Sequence, residues 1–145
     1  MVAHYGDLVK YICQTYFNWN GEKDEYGRSL LQHVGTDVVR HMEPDYWVEF
    51  IVRILRFFPD EWDYVVIPDA RFPNEIRVLE ENGLQVTHLR VRRDSIPNNL
   101  TEEQRNHPSE TSLDHTTPDA WIDNEGSLRH LEEVVKQYLE DNIYG

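Results

Sequence analysis

Apolar residues in the first third of the chain recur at helical spacing. Tyr5, Leu8, Val9, Ile12 and Tyr16 fall three or four positions apart, which predicts an opening helix and leaves room for a short extended piece before it. Asn18 to Gly21 is a cluster of residues that tolerate unusual backbone angles, so the chain is expected to turn there. Leu30, Leu31, Val34 and Val38 mark a second helix, interrupted or bent near Gly35. Pro44 and Asp45 open a third, whose predicted apolar face is Trp47, Phe50, Ile51, Ile54, Leu55 and Phe58, with Pro59 as its stop.

The pattern then shortens. Tyr64-Val65-Val66-Ile67 is a continuous apolar run that predicts a strand buried on both faces. Pro73 to Asn82 reads as a helix, with proline in its first turn and Gly83 just past its end. Leu84 to Val91 is the next predicted strand. Residues 94–118 are polar and carry three prolines, which suggests a mobile loop with one helical turn. Ala120 to Ile122 is a third short strand. Ser127 then caps a last helix, with Leu128, Leu131, Val135, Tyr138 and Leu139 expected to face inward. This order implies one α/β domain over residues 1–145, a mostly parallel sheet flanked by helices. Ligands of such sheets sit beyond the carboxyl ends of the strands, so the loops after Ile67, Val91 and Asp123 are the places to look for chemistry.

Charge narrows the choice of ligand. Among 145 residues, 27 Asp and Glu oppose 14 Lys and Arg, a net charge of −13. So acidic a surface argues against a nucleic-acid polymer or an anionic membrane as partner, but leaves room for one small anion pocket built from a few arginines. Cys13 is the single cysteine, which excludes an intramolecular disulfide and a cysteine-based zinc site and points to a reducing compartment. The seven histidines lack paired metal-ligand spacing and read as structural or surface residues. No stretch is long and apolar enough to span a membrane, and no signal-peptide pattern opens the chain, so a cytoplasmic protein is expected.

The richest stretch is Ile67-Pro68-Asp69-Ala70-Arg71-Phe72-Pro73-Asn74-Glu75. It sets a carboxylate and a guanidinium at the end of a strand, just before a helix N-terminus whose free N–H groups favour an anion. Arg71 adds a fork that grips phosphate at two points, and Asp69 is suited to holding magnesium through water. An Asp–Arg pair that merely stabilises the turn is the competing reading. Arg90, Arg92, Arg93 and Arg105 concentrate positive charge around the long loop, where they either close over a charged ligand or pair with surface acids. His107-Pro108-Ser109-Glu110 is either a recognition element or a capping turn. Gly35-Thr36-Asp37 with Arg40 and Trp47 places polar groups where two helices meet, which a helix bend and cap would equally explain. Asp123-Asn124-Glu125-Gly126-Ser127 is a strand-to-helix loop suited to touching a base or ribose.

Taken in order, these pieces resemble the deoxynucleoside monophosphate kinases of bacteriophages and prophages, within the P-loop kinase superfamily. The resemblance is carried by Arg28 to Asp37, Tyr46-Trp47-Val48, Asp63 to Arg71 with Glu75, the Val86 to Leu89 strand, and Ile122 to Leu128. It implies transfer of a phosphoryl group from ATP, with Mg2+, to a deoxynucleoside monophosphate. On that basis Asp69, Arg71, Arg92 and Arg93 would be the catalytic group, with Asp69 holding magnesium through water. Gln32, Asp37, Arg40, Trp47, Arg71 and Glu75 would form or support the acceptor pocket. Arg105, His107 and Glu110 would belong to the lid, and Asn124, Gly126 and Ser127 would lie near the ATP base.

The family's opening strand and its glycine-rich loop ending in Gly-Lys have no match here, and Met1 to Asp7 resembles the part that follows them. Gly21-Glu22-Lys23-Asp24 lacks the glycine-rich approach of such a loop. The resemblance therefore implies a sheet without its first, central strand. Three origins fit: a late start site, a fragment, or a relative that has rebuilt its sheet. The functional alternatives are a non-catalytic nucleotide-binding module, or a homo-oligomer joined through exposed strand edges.

Overall fold

The computed structural model describes residues 1–96 and 100–144. It divides into two compact units, Met1–Val86 with Thr101–His115, and Thr87–Leu100 with Thr116–Gly145. Part of the predicted 94–118 loop, residues 97–99, lies outside the described residues. No helix among the described residues is long and apolar enough to cross a membrane.

The first unit is helical. Helix α1 (Gly6–Tyr16) buries Val9 and Cys13. Its N-terminus is capped from far along the chain, because the Asp69 carboxylate accepts the N–H groups of Tyr5 at 3.0 Å and Gly6 at 2.8 Å. Beyond α1 the predicted turn is present, with Asn18 at φ 53° and Gly21 at φ 91°. Asp24 accepts the Gly27 N–H at 2.7 Å and so starts α2 (Glu25–Gln32). The expected interruption near Gly35 is a widening rather than a break. From His33 to Arg40 the chain continues as a π-helix, and the Gly35 carbonyl accepts the indole N–H of Trp47 at 2.9 Å.

Helix α3 (Tyr46–Phe57) buries Trp47, Val48, Ile51 and Val52. The predicted face is thus rotated: Phe50 and Phe58 are exposed, and the two valines take the core side. The smaller β-branched side chains let the neighbouring helices come close, which the bulkier phenylalanines would not. Helix α4 (Pro73–Glu81) begins at proline and ends before Gly83, at φ 81°, as expected. These elements share one core around Val9, Cys13, Val34, Trp47, Val48 and Val78.

The run from Tyr64 to Ile67 departs from its prediction. It forms no regular strand, only a parallel bridge between Val66 and Val2, with Val66 donating to Met1 O at 2.9 Å and accepting from Ala3 N at 3.0 Å. Tyr64 and Val66 are exposed while Val65 and Ile67 are half-buried, so one face is covered and not two. A continuous apolar run carries no alternation to reveal this. The predicted lid also acquires more structure than one turn. Thr101 and Gln104 cap each other reciprocally to start α5 (Glu102–Asn106), and Pro108 opens α6 (Pro108–Thr111).

The second unit is built on β1 (Leu89–Arg92) and β2 (Ala120–Asp123), paired in parallel from Leu89 with Ala120 to Arg92 with Asp123. The parallel sense matches the prediction, but the ladder has two strands and β1 starts five residues later than Leu84. Val86 packs instead against the core of the first unit. Helix α7 (Leu128–Asn142) starts at Ser127, whose hydroxyl accepts the His130 N–H at 3.2 Å. Leu131, Val135, Tyr138 and Leu139 are only half-covered and Leu128 is exposed, so the expectation that this face is fully inward does not hold.

Candidate functional site

Two carboxylates fix the turn from Asp69 to Arg71. Asp69 is tied to the start of α1, as described above. Behind the turn, the Glu75 carboxylate, 2% exposed, accepts the N–H of Arg71 at 2.6 Å and of Phe72 at 3.0 Å. Its other oxygen pairs with Arg40. The Arg40 guanidinium is 3.8 Å over the Phe72 ring and also donates to Asn74 at 3.2 Å and to Pro44 O at 3.1 Å. Its Nε is buried and has no hydrogen-bond partner among the described residues.

Burial pushes the Glu75 carboxyl up from its ordinary value, against the Arg71 N–H, the Arg40 charge and the Phe72 N–H, which favour the anion. Burial also raises the Tyr5 phenol, helped by the negative charge of Glu75 and Asp69. That hydroxyl donates to Glu75 O at 3.1 Å. Glu75 thus spends both oxygens on Arg40 and the turn, Arg40 is tied to Glu75, Asn74 and Pro44, and Arg71 is the arginine that the turn presents.

Around Arg71 lies a polar cluster drawn from three places. Arg71 Nη1 donates to Ser109 O at 3.2 Å and pairs with Glu110. Ser109, 8% exposed, lies with its hydroxyl 3.5 Å from Gln32 Nε2 and 3.0 Å from His107 Nδ1. The Ser109 N–H donates to His107 Nδ1 at 3.2 Å, so that nitrogen is an acceptor and the ring's proton sits on Nε2. Nε2 in turn lies 3.2 Å from Asp37 Oδ1, and His33 Nδ1 is 3.6 Å from the other oxygen of Asp37.

Of the residues singled out in the sequence, Gln32, Asp37, Arg71, His107 and Glu110 therefore meet in one cluster. Arg40 and Glu75 form the pair behind it. Trp47 is a core residue, 3% exposed, that reaches the π-helix through its indole N–H. Arg105 lies on α5 and is exposed. Ser109 and Asn74 entered the sequence reading only as members of the His107–Glu110 and Ile67–Glu75 stretches, and neither the hub position of Ser109 nor the part played by Tyr5 was predicted. The spacing of His107 and Ser109, a capping residue two before the N–H it accepts, was the available signal for Ser109. Tyr5 was hidden inside the apolar periodicity of α1.

The remaining candidates belong to the second unit. Arg92 pairs with Asp123, its register partner, at 3.6 Å, and Arg93 is exposed just past β1. Asn124 N donates to Arg92 O at 3.0 Å, Ser127 caps α7, and Gly126 sits against His130, whose ring a Cβ would meet at 2.6 Å. Between them, Glu125 accepts the N–H of Asp94 and of Ser95.

Each Asp69 oxygen accepts one backbone N–H, which leaves each with a further lone pair. No group of three His, Cys, Asp or Glu side chains able to hold a metal gathers among the described residues.

The fold is α/β, and a turn before α4 presents one arginine to a polar cluster. The family model for deoxynucleotide monophosphate kinase matches residues 6–135, and the chain belongs to that family. It is 32% identical over 124 residues to the deoxynucleotide monophosphate kinase of Enterobacteria phage T4, covering 83% of this chain and 48% of that protein. Its identity to the deoxynucleotide monophosphate kinase of Escherichia phage RB69 is 32% over 114 residues, covering 77% and 44% respectively. The chain thus spans about half the length of the curated relatives it matches.

Proposed function

We propose that this chain forms the acceptor site of a phosphoryl transfer from ATP to a deoxynucleoside monophosphate. The observation that carries this reading is Arg71: its backbone is pinned by Glu75, its side chain is 49% exposed, and it donates to Ser109, whose neighbours are Gln32 and His107, with Asp37 beyond His107. A guanidinium so placed suits the acceptor's phosphate, and the amide and carboxylate suit a base or sugar. Trp47, Arg40 and Glu75 support the pocket rather than line it. On the donor side, Arg92, Arg93 and Arg105 would neutralise transferred charge, and Asn124, Gly126 and Ser127 would lie at the ATP base. Mg2+ would meet this chain at Asp69 through water.

A second reading is a nucleotide-binding module without catalysis. It would use the same Arg71 cluster, and these 145 residues hold no glycine-rich loop ending in Gly-Lys-Asp, Gly-Lys-Ser or Gly-Lys-Thr. Calorimetric titration with the four deoxynucleoside monophosphates tests the shared element. Arg71→Ala should weaken binding about tenfold or more, as loss of a charge-assisted contact requires. Equal affinity in that variant would sink both readings. Diphosphate formation with ATP and magnesium then separates them, since only the first yields product.

A further inference from the structure

Arg71 Nη1 is fully used. Its two hydrogens meet the Ser109 carbonyl at 3.2 Å and the Glu110 carboxylate, both in α6. Among the described residues, Nε and Nη2 of Arg71 have no hydrogen-bond partner, and the side chain is 49% exposed. With Nη1 taken, the Nε–Nη2 edge is the one left that can present two parallel N–H bonds to a phosphate or carboxylate. An arginine held at one corner has therefore kept its bidentate edge open. The opposite end is fixed as well, since the Arg71 N–H is held by Glu75 at 2.6 Å.

We propose that Glu110 is a positioning residue for Arg71: with the Ser109 carbonyl, it clamps Nη1 so that the Nε–Nη2 edge faces an incoming phosphate. This rests on the acceptor-site reading above but makes a separate claim about one side chain. Orientation needs an acceptor oxygen at position 110 and does not need its charge. A carboxylate that merely competed with phosphate for Arg71 would do the opposite, and its removal in any form would strengthen binding. The side chain of Glu110 is 29% exposed, so the pair is partly solvated.

The experiment is calorimetric titration of the wild-type chain, Glu110→Gln, Glu110→Ala and Arg71→Ala with inorganic phosphate and with each deoxynucleoside monophosphate. Thermal melts establish that every variant is folded. Clamping predicts that Glu110→Gln, which keeps an acceptor oxygen, binds as tightly as wild type or more tightly. Glu110→Ala should then bind about fivefold more weakly, the factor carried by roughly 1 kcal/mol. Tighter binding by both variants identifies a competitor and overturns the proposal, as does unchanged affinity in Glu110→Ala. The same holds if no anion binds any variant. If inorganic phosphate shows the clamping pattern and the nucleotides bind no better than phosphate, the role of Glu110 stands and the nucleotide reading fails.

Discussion

Removing the Glu75 carboxylate should cost this protein much of its stability. In Glu75→Ala, three donors lose their acceptor at once: the N–H groups of Arg71 and Phe72, and the Arg40 guanidinium. The Arg40 side chain is 11% exposed, so the variant leaves a buried cation with no carboxylate beside it. Breaking a buried pair in this way costs about 3–5 kcal/mol. Two effects pull toward the lower end. Water can enter the void and satisfy the two N–H groups, and the wild-type carboxylate is itself penalised by burial. A loss of about 3 kcal/mol is therefore expected, or about a 10 °C fall in Tm for a chain of this size.

Urea denaturation followed by tryptophan fluorescence gives the number. The double variant Arg40→Met with Glu75→Ala supplies the control, because it removes the orphaned cation and should be less destabilised than Glu75→Ala alone. A Glu75→Ala loss below about 1 kcal/mol, or a double variant worse than the sum of the singles, would show that the pair is not the keystone of the turn.

Two further outcomes are expected. Because the folded-state pKa of Glu75 lies above its ordinary 4.5, the folded protein holds this proton to a higher pH than the unfolded chain does. The Glu75 contribution to stability should therefore rise as pH falls from above that raised value toward 4.5, and the stability of wild type minus that of Glu75→Gln, measured against pH, isolates it; a flat difference refutes the assignment. Gly27→Ala would place a Cβ 2.1 Å from the Glu22 carbonyl oxygen and 2.7 Å from Trp19 Nε1. Since backbone must move, a loss of about 3 kcal/mol is expected by denaturation, and a neutral substitution would contradict the packing at the start of α2.

Local signals carried well into the structure. The turn at Asn18–Gly21, the proline start of α4, the glycine after it and the Ser127 cap are each decided by one or two residues, and each is where the sequence places it. The facing of elements was harder. On α3, Phe50 and Val48 are both apolar, and only the neighbouring helices decide which is inside. The site was legible in part for the same reason. Gln32, Asp37, Arg71, His107 and Glu110 were visible as residue types, but their meeting depends on contacts across 38 to 77 positions that no local pattern encodes. That Arg40 and Glu75 would satisfy each other was equally hidden, because an arginine facing a carboxylate and an arginine facing a phosphate look alike in sequence.

The cap that Asp69 places on α1 has a kinetic side. Met1 bonds Tyr64, Tyr5 and Gly6 bond Asp69, and Tyr5 bonds Glu75, across 63 to 70 positions. Closing a loop of that length costs roughly 4 kcal/mol of chain entropy before any of these bonds repays it. Helices α1 and α2 draw on near neighbours and can form early, whereas the turn that presents Arg71 requires both ends of the loop to have met. A chain that holds its arginine in place has therefore already joined its first residues to those some sixty positions on.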